Sequence, residues 1–263
     1  MTRRQRDVWV RRFHPAVQGE ELICFPHAGG SAGHWFPLSA SLAPAVEVLA
    51  VQYPGRQDRH LEPPIDDLHR LADRISEVLA ARPPARTRMF LGHSMGAALA
   101  YEVALRLAGE PGGPSGLFVS GCPAPSRPRT EASVMVCGAV DDSALIDRVR
   151  ALGGTDSRLL ADPELLRLVL PALRADHHAA ETYTSTPGAV LTCPVVALAG
   201  DDDGTATRAD VDAWRQHTTG EFELRTFTGG HFFLMEHLDA ATELVADRFR
   251  RARRSRRAPF DHL

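Results

Sequence analysis

A serine sits at the centre of Gly92-His93-Ser94-Met95-Gly96, a G-x-S-x-G pentapeptide. A serine hydroxyl becomes a useful nucleophile only when a base takes its proton and a third group holds that base. In this pentapeptide the serine occupies a turn so sharp that the residues two before and two after it crowd each other. Both must be small, and Gly92 and Gly96 are. The turn lifts the Ser94 hydroxyl above a sheet, at the positive end of the helix that follows. It also aims the Met95 N–H at the place where an oxyanion would form. The chemistry implied is acyl transfer through a serine ester.

On such a turn the order along the chain is serine, acid, histidine. Of twelve histidines, His231 has the right setting. It follows the apolar run 221–227, lies in Gly229-Gly230-His231, and precedes Phe232-Phe233 and the last helical stretch. The glycines let that loop swing the imidazole over the serine. His217 and His237 read as surface residues, His177 and His178 as the polar face of a helix, and His93 as packing beside the serine. The acid should follow the run 194–199, which leads into Gly200-Asp201-Asp202-Asp203-Gly204. One of these three aspartates orients the base, and the other two cap the turn or the next helix. Local chemistry does not choose among them. A first oxyanion donor should come from Phe25-Pro26-His27-Ala28-Gly29-Gly30, a loop whose glycines allow a backbone N–H to approach a ligand oxygen.

These groups need a scaffold. Short apolar runs bounded by turn residues predict strands at 21–25, 46–52, 88–91, 116–120, 194–199 and 221–227. A helix is expected over 66–81, where Leu68, Leu71, Ile75, Val78 and Leu79 recur at helical spacing. Asp66 or Asp67 would cap it and Pro83-Pro84 would end it. Further helices are expected over 95–108, stopped by Gly109, over 208–217 and over 240–253. Alternating strands and helices imply an α/β fold with a mostly parallel sheet covered on both faces. Residues 124–187 break the alternation, with helical segments at 143–152, 162–170 and 172–183, Pro171 being expected to kink or split the last two. Some sixty residues between two strands is too long for a plain connection. It reads as a helical lid over the carboxyl edge of the sheet, or as a helical subdomain with no gating role. Its apolar stripes could wall an acyl chamber, though ordinary packing against the body is the expectation for most of them. The whole is one catalytic domain over 1–263 with this insertion.

Composition agrees. The chain has 263 residues, 44% apolar and 24% charged, which excludes whole-chain disorder and suffices for a core without staples. No apolar run nears the length that spans a bilayer, and no secretory h-region follows the basic start. The four cysteines, Cys24, Cys122, Cys137 and Cys193, form no CxxC or metal spacing, which fits a reducing, cytoplasmic setting. All 30 basic residues are arginine, and seven lie between Arg248 and Arg257. The segment 248–263 carries +6, leaving −9 on the rest of the chain. A basic, disordered tail over 251–263 is the expectation, and its charge offers a means of steering an acidic partner.

Taken in order, the motifs resemble the type II thioesterases that accompany polyketide and nonribosomal peptide synthetases. The resemblance rests on 25–30, Tyr53-Pro54-Gly55-Arg56, 92–96, Arg174-Ala175-Asp176 with Glu181-Thr182-Tyr183, and Gly229-Gly230-His231-Phe232-Phe233. It implies an α/β-hydrolase fold with a helical lid. It implies hydrolysis of acyl thioesters on the phosphopantetheine arm of acyl or peptidyl carrier proteins, removing wrong or stalled units. It names Asp203 as the acid, with Ser94 and His231, and His27 beside Met95 as backbone oxyanion donors, Ala28 being one residue away. Gly204 departs from the pattern, where such loops often carry proline. No metal, cofactor, nucleic acid or membrane is implied, and a monomer is expected. The alternative is a free-standing carboxylesterase or lipase acting on small oxygen esters with the same triad.

Overall fold

The computed structural model describes residues 8–16, 19–127, 142–154 and 160–257. Its centre is a seven-stranded sheet built from β1 (Val10–Arg12), β2 (Glu20–Phe25), β3 (Glu47–Val51), β4 (Thr87–His93), β5 (Leu117–Ser120), β6 (Val195–Gly200) and β7 (Phe222–Phe227). The strand order is β1-β3-β2-β4-β5-β6-β7. Six strands run parallel, and only the edge strand β1 is antiparallel, to β3. The helices are α1 (Phe36–Leu42), α2 (Leu68–Ala80), α3 (Met95–Arg106), α4 (Asp142–Leu152), α5 (Pro163–Thr182), α6 (Arg208–Asp212), α7 (Phe233–Glu236) and α8 (Leu238–Arg257).

The near-continuous apolar strands are explained by their burial on both faces. Ile23, Leu49, Phe90 and Val119 point to one side, where α2 and α3 cover them. Leu22, Val48, Leu91 and Phe118 alternate to the other, under α1 and α8. The Asp67 side chain caps α2 by accepting from Arg70 N–H at 2.8 Å. Gly109, just past α3, takes the left-handed conformation, φ +81°. The chain therefore has the α/β-hydrolase architecture expected of it.

Three expectations differ. The segments 162–170 and 172–183 form one helix, α5, with Pro171 inside it. Arg167 and Pro171 both face solvent, so water can satisfy the carbonyl that the ring deprives of its donor. The expected 208–217 helix is α6 followed by a tighter turn of 3-10 helix, Ala213–His217. Within the expected tail, residues 251–257 are helical. α8 runs to Arg257, with Arg253 paired to Glu20 and Arg256 donating to the Arg86 carbonyl. The remainder, 258–263, lies outside the described residues, as does Cys137. Cys24 and Cys193 are free thiols.

Candidate active site

Parallel register brings three strand ends together. Gly92 of β4 lies opposite Phe25 of β2, and His93 lies opposite Ser120 of β5. The residue after His93 is Ser94, with φ +55° and ψ −126°. A non-glycine residue there is strained, and the surroundings enforce it. The Ser94 N–H donates to the Ser120 carbonyl at 2.8 Å. A Cβ at Gly92 would come within 2.1 Å of the Gly96 carbonyl oxygen, and one at Gly96 within 2.2 Å of the Phe25 carbonyl oxygen. Ser94 thus sits at the N-terminus of α3, and Met95 N–H is one of the first-turn amides without an intrahelical acceptor.

The three aspartates separate cleanly. Asp203 Oδ2 lies 2.8 Å from His231 Nδ1. Its Oδ1 accepts from the Thr205 N–H at 2.9 Å and the Thr205 hydroxyl at 2.7 Å. Thr205 Oγ1 also lies 2.9 Å from His231 Nδ1. Asp201 instead accepts from the Gly229 N–H at 2.9 Å, tying the acid loop to the histidine loop. Burial pushes the Asp203 carboxyl up. The hydrogen bond and charge of His231, with the two Thr205 bonds, more than offset this and hold it below its ordinary range. An ionised Asp203 can only accept, so His231 Nδ1 carries the proton and Nε2 is left with its lone pair.

Ser94 and His231 line a common cavity of about 160 Å³, together with Met95, Ala98, Ala28 and His177. A smaller recess of about 40 Å³ meets the same two residues and is walled by His27 and Phe232. The His27 ring lies 4.8 Å from Phe232 and 6.1 Å from His93, centroid to centroid. His93 lies 5.0 Å from His231 in the same measure and bonds Ser120 Oγ through Nδ1 at 3.0 Å. Burial, followed by the neighbouring imidazoles, depresses both His27 and His93 well below the usual histidine value. Neither places a second cation against His231.

Some expectations fail. His177 is buried and lines the cavity, with its pKa drawn down to about 4, chiefly by burial. His217 is buried too, bonded to Tyr101 at 3.3 Å and Ser126 at 3.1 Å. Both were expected at the surface. Thr205 was not singled out, although a hydroxyl two residues after a turn aspartate is a known local partner for it. Among the described residues no group of three or more potential ligands is placed to hold a metal ion.

Residues 20–251 match the family model described as a thioesterase domain. The chain is 51% identical over 245 residues to thioesterase PikA5 of Streptomyces venezuelae, covering 91% of this chain and 85% of that protein. It is 48% identical over 239 residues to a probable cadicidin biosynthesis thioesterase of Streptomyces griseus, covering 90% of this chain but 65% of that protein's length. Among solved structures it resembles the type II thioesterase BorB from the borrelidin cluster, with 48% identity and a TM-score of 0.82. That match covers 92% of this chain and 97% of BorB. The chain is a member of the thioesterase family, with its matched region spanning β2 to β7, the strained serine and the Asp203–His231 pair.

Proposed function

We propose that this thioesterase hydrolyses acyl thioesters held on the phosphopantetheine arm of an acyl or peptidyl carrier protein, clearing wrong or stalled units from a polyketide or nonribosomal peptide assembly line. The observation that carries the reading is the Asp203-oriented His231 sharing one cavity with Ser94. The names of the relatives, a cadicidin biosynthesis thioesterase and a type II thioesterase from the borrelidin biosynthetic cluster, support a biosynthetic setting for it.

In this reading His231 Nε2 takes the Ser94 proton as Oγ attacks the thioester carbonyl. The oxyanion is held by the Met95 N–H and by an N–H of the His27–Ala28 loop. The tetrahedral adduct collapses, the protonated His231 delivers its proton to the departing pantetheine sulfur, and an acyl-Ser94 ester remains. Water, deprotonated by His231, then attacks that ester, and collapse returns the proton to Ser94 and releases the acid. Asp203 keeps the imidazole in the productive tautomer and stabilises its charged form. Every step uses groups of this chain, the substrate and water.

The helices α4 and α5, between β5 and β6, are assigned the lid. The enzyme is read as a cytoplasmic monomer. Among the described residues no helix is long and apolar enough to cross a membrane. A free-standing carboxylesterase has less support, since relatives near 50% identity are named thioesterases. The test compares kcat/KM on acyl-carrier protein, on the matching acyl-pantetheine mimic and on a p-nitrophenyl ester. A clear advantage for the carrier-bound form is expected, and equal values would return the reading to the carboxylesterase. Ser94→Ala should abolish turnover in all three.

A further inference from the structure

The loop that supplies the first oxyanion donor is fixed from outside. The Pro26 carbonyl accepts from Tyr53 Oη at 2.9 Å. The Gly30 carbonyl accepts from Arg56 Nη1 at 3.1 Å. The Gly29 N–H donates to Asp176 Oδ2 at 2.7 Å. Asp176 belongs to α5, over a hundred residues away along the chain. It takes both ends of the Arg56 fork, Nη1 to Oδ2 at 2.6 Å and Nη2 to Oδ1 at 2.8 Å. Both side chains are almost fully buried, Arg56 at 6% exposed and Asp176 at 1%. Arg56 is also pinned to the Pro54 carbonyl by Nε and Nη2, both at 3.2 Å.

A buried ion pair is a weak contributor to stability compared with apolar residues of the same volume, because both charges lose their water. What this pair adds is geometry. A forked, planar contact fixes Asp176 in two dimensions, and its third bond then fixes Gly29. The approach is close. Gly29 has φ +75°, and a Cβ there would lie 2.3 Å from Leu173 Cδ2, one helical turn from Asp176. The next residue, His177, lines the cavity that contains Ser94.

We propose that Asp176, held by Arg56, is a positioning residue for hydrolysis: through the Gly29 N–H it sets the oxyanion loop against Ser94 and couples α5 to that loop. Asp176 touches no reacting atom. Its effect falls on the transition state, whose oxygen must meet a preorganised N–H. The proposal rests on the assignment of Ser94 as nucleophile and of the 26–30 loop as oxyanion donor.

Two variants test it. Asp176→Asn leaves one acceptor for two kinds of donor. Arg56→Met with Asp176→Leu removes both buried charges and leaves the Gly29 N–H with no side-chain acceptor. For each, kcat and KM are measured on acyl-carrier protein, folding is followed by circular dichroism, and affinity is measured for an alkylboronic acid, whose tetrahedral adduct on Ser94 places an oxygen in the oxyanion site. The expected result for both is a fall in kcat of roughly 10- to 100-fold, short of the ~10²–10³-fold cost of losing a donor outright. KM should change about threefold or less, boronate affinity should fall in parallel with kcat, and the double variant should melt near the wild-type temperature. Wild-type kcat and boronate affinity in the double variant would overturn the proposal. So would loss of folded protein in both variants, which would make the pair a support of the fold. Ser94→Ala, measured alongside, separates the two layers. If it remains active, the underlying assignment fails; if it is dead while the Asp176 variants behave as wild type, only this proposal does.

Discussion

His231 Nδ1 and Asp203 Oδ2 lie 2.8 Å apart, and Thr205 donates both its N–H and its hydroxyl to the other oxygen of the same carboxylate. Replacing Asp203 with Asn leaves a similar shape but presents an amide that can donate to Nδ1. The imidazole then favours the wrong tautomer, with Nε2 protonated. Asp203→Asn should lower kcat by about 10⁴-fold with KM little changed. Asp201 faces the Gly229 N–H instead, a bond that Asn can still accept, so Asp201→Asn should stay within several-fold of wild type. Steady-state kinetics on one acyl-carrier substrate checks both. Equal losses in the two variants would dissolve the distinction between the aspartates.

The sequence made the serine turn readable because its demand is steric and local. Only glycine tolerates the 2.1 Å and 2.2 Å approaches at Gly92 and Gly96, so the pattern survives without knowledge of anything distant. The choice of Asp203 among three adjacent aspartates is not local, since it depends on where the Gly229–His231 loop returns. It came from the family resemblance and not from the residues themselves. The bond between Asp176 and Arg56, 120 residues apart, is not local either, since it exists only after α5 lies on the loop, and no reading of the sequence anticipates it. Pro171 misled for another reason. Its ring removes one helical donor and crowds the carbonyl four residues back, a cost that a long helix packed on both sides of it can bear, and here that carbonyl and the ring are on an exposed face. The burial of His177 and His217 was hidden too, because a polar ring on a helix reads as exposed until the element above it is known.

The cavity beside Ser94 makes a prediction about acyl length. Leu166 and Val169 line neither cavity beside Ser94; they pack on the cluster of Leu145, Val149, Leu160 and Leu173, of which only Val149 reaches the smaller recess. Enlarging Leu166 or Val169 to Phe should leave the chain-length preference unchanged. Ala98 sits one turn past Met95 on α3 and lines the cavity directly. Ala98→Leu should cut kcat/KM for a longer acyl group by roughly 10-fold or more relative to acetyl, the scale on which a pocket senses one or a few methylenes. A series of acyl-carrier proteins differing only in chain length supplies the measurement. An unchanged profile in Ala98→Leu would move the acyl site elsewhere.

The buried imidazoles set a pH dependence of stability. His34 and His177 are each drawn down to about 4, chiefly by burial. His27 and His93 are depressed by burial first and by neighbouring histidines next. In the unfolded chain these rings titrate near 6.5. Between the two values the unfolded state binds more protons, so stability rises with pH there. It is fully present above about 6.5 and drains as the pH falls toward 4. The depressed Asp203 carboxyl acts in the same direction, but only once the pH drops through the carboxylate range. Calorimetry should show a flat Tm from pH 8 to 7 and a loss on the order of a few kcal/mol by pH 5. His177→Gln, which cannot titrate, should remove part of that slope. A Tm held constant down to pH 5 would show that these rings protonate in place.

The arginine-rich end of α8 is placed away from the chemistry. Arg253 pairs with Glu20, the first residue of β2, and Arg256 reaches the Arg86 carbonyl just before β4. Ser94 follows the other end of β4, seven residues on, and at about 3.3 Å per residue the strand alone separates them by roughly 20 Å. That is two Debye lengths at about 0.1 M salt. A partner drawn to this end would meet the amino edge of the sheet, opposite Ser94. Steering of an acidic carrier by these arginines, attractive from their charge alone, therefore loses its geometry. Truncation after Arg253 keeps the Glu20 pair and should leave kcat/KM on carrier-bound substrate within about twofold, at low salt as at high. It should cost at most about 1 kcal/mol of stability, the scale of exposed ion pairs. A fall in kcat/KM that grows as the salt is lowered would restore the steering role and place the carrier's approach along α8.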